Sequence, residues 1–247
     1  MDTCIKINRL SKRYPGETID SLSGVSLDIK IGDKYGILGP NGAGKTTLIS
    51  ILCGIIEQSS GDAIYWENDA EIEFSKIQQK LGYVPQEYAF YHELTPVQNL
   101  EYFGAMYKLS SGTIAKRTSE ILQILGLYEV RNKKIATFSG GMKRRINLAI
   151  GIIHKPSILF LDEPTVGVDI QSKVAILKIL NELNKNGTTI IYTSHHLDEA
   201  EEFCNSIALL DNGKLIIKGQ TEVLLKEHNA KDLEGLLLNF TGESYRD

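Results

Sequence analysis

A glycine-rich stretch at residues 39–47 carries residue types that can bind a chain of phosphates. It fits the spacing G-x-x-x-x-G-K-[ST]. Glycine has no Cβ, so the backbone can take unusual dihedral angles and bring its N–H groups close to an anion. We therefore predict that a nucleotide's phosphates lie against this loop, whose members are Gly39, Pro40, Asn41, Gly42, Ala43, Gly44, Lys45, Thr46 and Thr47.

The flanking sequence favours this interpretation over a chance glycine-rich turn. Lys34–Leu38 is typical of a strand, and residues 48–53 form an apolar helix face after the loop. The start of that helix offers unpaired N–H groups and the positive end of the helix dipole. We expect Lys45 to reach the β- and γ-phosphates, Thr46 to offer its hydroxyl to Mg2+ and Thr47 to add a phosphate contact.

Two adjacent carboxylates, Asp162 and Glu163, follow four apolar residues in a row. Such a run is typical of a strand buried on both faces of a parallel sheet, and open α/β sheets bind ligands beyond the ends of these strands. We predict that Asp162 holds Mg2+, directly or through water, and that Glu163 orients or deprotonates the attacking water. The alternative is a polar strand end before a proline turn, which is a weak interpretation beside a phosphate loop.

Two other polar residues also come directly after predicted strands. Gln86 follows the short strand at residues 81–84, and it is either an ordinary loop residue or a ligand of Mg2+ or water. His195 follows the apolar strand at residues 188–193, from where it could reach the γ-phosphate. The remaining histidines are interpreted as incidental; they are His92, His154, His196 and His228.

A second anion site is predicted where a helix begins at Ser139, Gly140 and Gly141 and runs to His154. A serine hydroxyl can cap the helix, and glycines leave its first N–H groups accessible to an anion. The alternative is a plain helix cap. The three basic residues that follow are interpreted as a solvated helix face; they are Lys143, Arg144 and Arg145.

Two more candidates lie in loops. Tyr14 lies in a loop with a turn signal at residues 10–16, and it is either an ordinary loop aromatic or a residue that stacks on adenine. Asp169 lies in the turn before a helix predicted at residues 170–186.

Composition limits the classes of function. The chain has 247 residues with 27 basic and 31 acidic side chains, a net charge of −4 that gives no global basic field for nucleic acid. Its three cysteines are far apart in the sequence and suggest neither a disulfide framework nor a zinc site, so a reducing cytoplasm is expected. The sequence has no apolar run of about 18 residues and no secretion signal pattern. We therefore expect the protein to act at a membrane only through a partner protein.

The remaining elements predict an α/β fold. Alternating strands are expected at residues 4–8 and 25–29, an edge strand at 61–66 and a solvated acidic loop at 67–73. Thr95 and Gln98 form a capping box that starts the first helix of a helical block, and a second helix is expected at residues 113–125. A hairpin around residues 211–213 precedes a helical tail.

With these motifs in this order, the chain resembles the nucleotide-binding subunit of an ATP-binding cassette (ABC) transporter. The resemblance is carried by GPNGAGKTT, Gln86 in YVPQE, FSGGM, ILFLDEP, Asp169 and TSH. It implies a P-loop NTPase core with a mainly parallel sheet, an N-terminal antiparallel β-subdomain and an inserted helical subdomain. The single domain at 1–247 would comprise a core (1–86 and 156–220), a helical subdomain with the signature motif (87–155) and a tail (221–247).

The resemblance also implies ATP and Mg2+ as cofactors and assigns roles to the site residues. Tyr14 would stack on adenine, Gln86 would couple Mg2+ to a membrane partner, and Asp162 would support Mg2+. Glu163 would be the catalytic base, and His195 would contact the γ-phosphate. The segment Ser139–Gly141 would contact ATP held by a second nucleotide-binding subunit in a head-to-tail dimer, homomeric or heteromeric, and Asp169 joins the ATP-binding residues.

The same resemblance implies an ATPase on the cytoplasmic face of the cell membrane, bound to a separate permease, with no nucleic acid partner. SGGM followed by three basic residues, DEPTVGVD and the tail at residues 239–243 are similar to the drug- and polyketide-exporter branch. Phe138 and Met142 depart from the common LSGGQ, and Val-Gly-Val precedes Asp169 instead of Ser-Ala-Leu. The expected cargo is a drug, antibiotic or other hydrophobic compound.

Two alternatives remain. One is a soluble ABC ATPase acting in translation or DNA repair, which a single cassette without a heptad run disfavours. The other is an unrelated P-loop enzyme such as a kinase, which leaves the Ser-Gly-Gly segment and His195 without a role.

Overall fold

The structure is a computed structural model that describes residues 3–241, so Gly242 and Glu243 of the exporter-like tail lie outside the described residues. The strands are β1 (Thr3–Lys12), β2 (Leu22–Lys30), β3 (Lys34–Leu38), β4 (Ser60–Glu67), β5 (Ala70–Ile72), β6 (Leu81–Val84), β7 (Ile158–Asp162), β8 (Thr189–Ser194), β9 (Ser206–Asp211) and β10 (Lys214–Gln220). The helices are α1 (Lys45–Leu52), α2 (Phe74–Ile77), α3 (Pro96–Met106), α4 (Ser111–Ile124), α5 (Gly140–Ile152), α6 (Ile170–Lys185), α7 (Leu197–Phe203), α8 (Thr221–Glu227) and α9 (Leu233–Thr241).

The residues group into two compact units. One comprises the chain up to Gln78 together with everything from Thr189 onward, and the other comprises Gln79–Thr188. The division of the cassette into core, helical subdomain and tail stays a prediction. Within residues 3–241, no helix combines the length and apolar character needed to cross a membrane.

The first unit contains an antiparallel sheet in the order β2-β1-β4-β5. Ile5 lies opposite Tyr65 on one side and beside Ile29 on the other, and its side chain is fully buried. Alternate apolar residues of β1 and β2 fill the core in the same way. The alternating pattern predicted the strands at residues 4–8 and 25–29, and the family resemblance implied the antiparallel N-terminal sheet that they form.

The edge of this sheet differs from the prediction. β4 is an interior strand, because residues 67–73 contain β5, whose Ala70 pairs with Glu67. Asn68 and Asp69 both have positive φ angles, 52° and 62°, as a two-residue hairpin turn requires. The acidic composition of residues 67–73 led to the prediction of a loop, and that prediction was wrong. Strand pairing depends on the partner strand as well as on local polarity.

The second sheet of this unit places a parallel strand on each side of β3. β8 and β9 both run parallel to β3, and β10 returns antiparallel to β9. Leu38, the last residue of β3, lies beside Ser194, the last residue of β8. The loop after β3 and His195 after β8 therefore leave the sheet at the same edge, as the α/β prediction requires.

The second unit combines two parallel strands with helices. β6 and β7 pair so that Val84 lies beside Leu161, and α5 packs on β6, α3 and α6. The predicted capping box is present: the Gln98 N–H donates to Thr95 Oγ1 at 3.2 Å, and the Thr95 N–H donates to Gln98 Oε1 at 2.9 Å.

His154, interpreted above as incidental, packs inside the second unit. Its ring lies flat on Tyr107, with centroids 3.7 Å apart and planes 2° from parallel. Its Nε2 lies 2.9 Å from the Leu81 carbonyl oxygen, which fixes the end of α5 to the start of β6. Burial lowers the pKa of His154 from 6.5 to about 4.

This burial predicts that the protein loses stability in mild acid. The unfolded chain protonates His154 below its ordinary pKa of 6.5, whereas the folded chain resists protonation down to about 4. The contribution of His154 to the free energy of unfolding is therefore at its maximum above pH 6.5. It falls by at most about 3 kcal/mol as the pH is lowered from 6.5 to 4. Urea unfolding at pH 7.5, 6, 5 and 4 measures this loss.

The matched variant is His154→Gln, which keeps an amide nitrogen for the Leu81 carbonyl and cannot titrate. Its free energy of unfolding is expected to fall less than that of the wild type across this range. Equal pH slopes in the two proteins would show that other groups cause the acid sensitivity.

Candidate nucleotide-binding and catalytic site

The predicted phosphate loop joins β3 to α1 in a conformation that its glycines make possible. Gly44 has φ of 100°, and a Cβ built there would lie 2.5 Å from the Ser21 carbonyl oxygen. A Cβ at Gly39 would lie 2.2 Å from the Leu210 carbonyl oxygen. The loop is thus packed against neighbouring backbone, and the Gly213 N–H also donates to the Ala43 carbonyl at 3.1 Å. A side chain at Gly39 or Gly44 would therefore collide with neighbouring backbone, so this conformation of the loop requires glycine at both positions.

The start of α1 is suited to a phosphate. Its N-cap residue is Gly44, so no side chain caps the first N–H groups of the helix. Lys45 is buried, and its Nζ donates to the carbonyl oxygens of Gly39 at 2.7 Å and Pro40 at 3.1 Å. The ammonium group therefore lies across the loop, next to the start of a helix that no side chain caps. Thr46 is exposed at the first turn of the helix.

Tyr14 lies beside this loop. Its hydroxyl is 3.4 Å from Thr47 Oγ1, and the Lys12 ammonium lies 5.3 Å from the centre of its ring. A cleft of about 330 Å3 lies here, and its lining includes Tyr14, Ile19, Gly42 and Asn212. An aromatic ring at the wall of a cleft next to a phosphate loop fits the base of a nucleotide.

The two carboxylates lie where they were predicted, at the end of β7. Asp162 is 1% exposed and Glu163 is 5% exposed. Glu163 has a φ of 48°, which is unusual for a residue with a side chain and costs of order 1 kcal/mol or more. Gln86 Nε2 donates to Glu163 Oε2 at 3.2 Å, because the neighbouring strands β6 and β7 end side by side. The two residues were predicted separately, and the structure joins them.

Arg144 corrects the prediction of a solvated basic face. It is 6% exposed, and its Nη1 donates to the Gln86 carbonyl oxygen at 2.6 Å. Arg145 is also partly buried, with its Nη1 2.7 Å from the Leu125 carbonyl oxygen. Sequence reasoning missed Arg144 and its neighbour Asn147. The available signal was their spacing with Gly151, a small residue that lets this face of α5 pack closely on β6.

The second predicted anion site has the expected cap. Ser139 Oγ accepts a hydrogen bond from the Met142 N–H at 3.3 Å. Phe138, which replaces the common leucine, is buried, and Met142 is half-buried. The exchange of leucine for phenylalanine therefore keeps an apolar anchor just before the helix.

Asp169 caps α6 and lies against the start of α5. Its two carboxylate oxygens accept from the Ser172 N–H at 2.9 Å and the Ser172 hydroxyl at 2.8 Å, and these hydrogen bonds lower the pKa of Asp169. A Cβ added to Gly141 would lie 2.3 Å from Ser172 Oγ and 2.5 Å from Asp169 Oδ2. The second glycine of the Ser-Gly-Gly segment is thus required by the close approach of Asp169.

Comparison with known proteins agrees with this arrangement of motifs. A model of the ABC transporter family matches residues 22–166. The linearmycin resistance ATP-binding protein LnrL of Bacillus subtilis (strain 168) is 44% identical over 215 residues, which are 87% of this chain and 68% of that protein.

Solved structures extend the match. The ATP-binding subunit of an ABC transporter aligns with a TM-score of 0.86 at 26% identity, covering 97% of this chain and 100% of that one. The dimeric ATP-binding cassette MJ0796, in a post-hydrolysis state bound to ADP and Pi, aligns with a TM-score of 0.77 at 26% identity, over 87% of this chain and 98% of that one.

The chain therefore belongs to the ABC transporter family. It has the α/β fold of that family's P-loop ATPases, with the antiparallel β-subdomain, and it is an ATP-binding subunit and an ATPase.

The contact between Gly141 and Asp169 predicts different costs for alanine at the two signature glycines. Gly141→Ala is expected to destabilise the protein by about 1–3 kcal/mol, because α5 or α6 must shift to make room. Gly140→Ala serves as the matched control, since a Cβ there would meet only the Tyr88 hydroxyl at 3.8 Å. Urea unfolding of both variants measures the difference. Equal free energies of unfolding for the two variants would mean that the start of α6 can move away from residue 141 at little cost.

Proposed function

We propose that this chain is the ATP-hydrolysing subunit of an export complex, in which it dimerises on ATP and drives a separate membrane permease. The observation that carries the proposal is the hydrogen bond between Gln86 and Glu163 at the end of β7. A buried carboxylate whose position is fixed in part by an amide donor can orient an attacking water and receive its proton.

In this proposal the ATP site is built from the residues described above. The P-loop from Gly39 to Thr47 surrounds the phosphates, with Lys45 as their principal cation. Tyr14 stacks on adenine, and His195 donates to the γ-phosphate. Mg2+ would be held by Thr46, Gln86 and Asp162, and it would neutralise charge on the phosphates when bound.

Glu163 takes the role of general base. Its carboxylate orients a water molecule and accepts its proton, while Gln86 limits the positions that this carboxylate can take. Asp162, one residue earlier, ends the strand, and its carboxylate would face the cation as a ligand.

The signature segment is assigned to a different ATP molecule. Ser139, Gly140 and Gly141 begin α5, a 13-residue helix whose first N–H groups can face an anion. In a head-to-tail dimer, each ATP would be held between the P-loop of one subunit and this segment and Asp169 of the other. ATP would then favour the closed dimer, and hydrolysis would reverse that preference. The related cassette MJ0796 supports this arrangement, since its structure with ADP and Pi is dimeric.

The transported compound is proposed from the relatives. LnrL is named for resistance to linearmycin, so we assign the chain to export of an antibiotic or another hydrophobic compound. In this proposal the chain is peripheral on the cytoplasmic face of the membrane, with residues 87–155 forming the helical subdomain and 221–247 the tail. No observation favours action in translation or DNA repair.

Glu163→Gln tests the assignment of the base. Glutamine has nearly the same shape and can still accept from Gln86, but it cannot take a proton. We expect ATP affinity within about threefold of the wild type, turnover lowered by about 100-fold or more, and an ATP-bound dimer on size-exclusion chromatography. Hydrolysis at the wild-type rate would remove Glu163 from the mechanism.

The permease proposal is tested by purification from detergent-solubilised membranes of the native host. An affinity-tagged chain is expected to bring down one polytopic membrane protein in fixed ratio, and this complex is expected to hydrolyse ATP faster than the isolated chain. Co-sedimentation with ribosomes, without any membrane partner, would support the alternative function instead.

A further inference from the structure

One face of α5 holds the chain segment that carries Gln86. Arg144 Nη1 donates to the carbonyl oxygens of Gln86 at 2.6 Å and Pro85 at 3.5 Å. Asn147 Nδ2 donates to the carbonyl oxygens of Pro85 at 2.9 Å and Glu87 at 3.3 Å. Three successive carbonyl groups are therefore bound by two side chains one turn apart on the same helix.

Further bonds complete this clamp, which we define as Gly140, Arg144 and Asn147. The Ala89 N–H donates to Asn147 Oδ1 at 3.0 Å, and the Tyr88 hydroxyl donates to the Gly140 carbonyl oxygen at 3.2 Å. The Arg144 guanidinium also lies 5.3 Å from the centre of the Tyr88 ring. Residues 85–89 are thus fixed to α5 along two turns of the helix.

The two side chains of the clamp, Arg144 and Asn147, are buried. Arg144 is 6% exposed and Asn147 is 2% exposed. Burial lowers the pKa of the Arg144 guanidinium, while Tyr88, Glu163 and Asp162 act to raise it. A buried cation without hydrogen-bond acceptors is costly, so the carbonyl groups and the cation hold one another in place.

We propose that Arg144 is a positioning residue for ATP hydrolysis, acting through Gln86 on Glu163. Arg144 holds the backbone of Gln86, and the side chain of Gln86 holds the carboxylate of Glu163 at 3.2 Å. Without Arg144, residues 85–87 lose their principal charged anchor, and Gln86 no longer keeps Glu163 in one position. This inference rests on the proposed roles of Gln86 and Glu163.

The position of Arg144 on α5 connects the start of that helix to the Gln86 backbone. The helix begins at the Ser-Gly-Gly segment, and Arg144 follows one turn later. A displacement of the start of α5 would therefore move the Gln86 backbone with it. Contact between that segment and a second ATP would therefore change the position of the Glu163 carboxylate in the same chain.

A double-mutant cycle tests this role in the full-length chain. Arg144→Met keeps most of the side-chain volume and removes every donor. We expect kcat to fall about tenfold, with ATP affinity within about threefold of the wild type. In a Gln86→Ala background, the same substitution is expected to lower kcat by less than about twofold, because its effect passes through Gln86.

Arg144→Lys is the rescue variant. It also keeps the role of Arg144 testable if Arg144→Met does not fold. Lysine retains one charged donor, so its kcat is expected to lie between those of the wild type and Arg144→Met. The matched control is Arg145→Gln, which alters the next basic residue and breaks its bonds to the carbonyl oxygens of Gly141 and Leu125. Its effect on kcat is expected to be the same with and without Gln86→Ala.

The outcomes separate this inference from the proposed function. Equal effects of Arg144→Met in both backgrounds, or an unchanged kcat, would overturn the role of Arg144. If Glu163→Gln still abolishes turnover in that case, the proposed function stands without the clamp. Wild-type turnover of Glu163→Gln would instead refute the base assignment, whatever Arg144→Met shows.

Discussion

Two buried carboxyl residues in succession at the end of β7, Asp162 and Glu163, impose the constraint on which the second unit depends. Moving a carboxylate out of water costs several kcal/mol even after relaxation. Gln86 supplies a donor to Glu163, and the buried guanidinium of Arg144 supplies a positive charge in their neighbourhood. Both compensating groups depend on α5, because Arg144 belongs to that helix and Gln86 is bound by it.

The phosphate loop has to bind a negative charge, whereas the end of β7 has to bury one. It must leave backbone donors and a cation accessible to an anion, yet it must keep a defined shape. Gly44 caps α1 without a side chain, and the close contacts of Gly39 and Gly44 with neighbouring backbone hold the loop. The Lys45 ammonium donates to the carbonyl groups of Gly39 and Pro40, which hold it inside the loop. An arriving phosphate replaces these neutral acceptors by a charged one, which is the stronger bond.

The sequence predicted features that depend on neighbours along the chain. The loop, the capping box at Thr95, the cap at Ser139 and the strands before Gln86 and Asp162 are read from a few consecutive residues. Features that depend on distant partners were missed. Arg144 looked solvated because its acceptor lies 58 residues away, and residues 70–72 looked like loop because their pairing partner is needed to form a strand. His154 looked incidental because Tyr107 and Leu81 come from other elements.

The start of α5 meets two partners that local sequence also could not reveal. Gly141 lies against Asp169 and Ser172 at the start of α6, and Gly140 accepts a hydrogen bond from Tyr88 in the Gln86 segment. A helix that is packed this closely cannot shift its first turn without moving both neighbours, since interiors transmit displacement when they have no free volume. The segment proposed to face a second ATP is therefore joined, through one rigid helix, to the residue proposed to activate water for the first. Cooperation between two ATP sites then requires no flexible link, only the stiffness of α5.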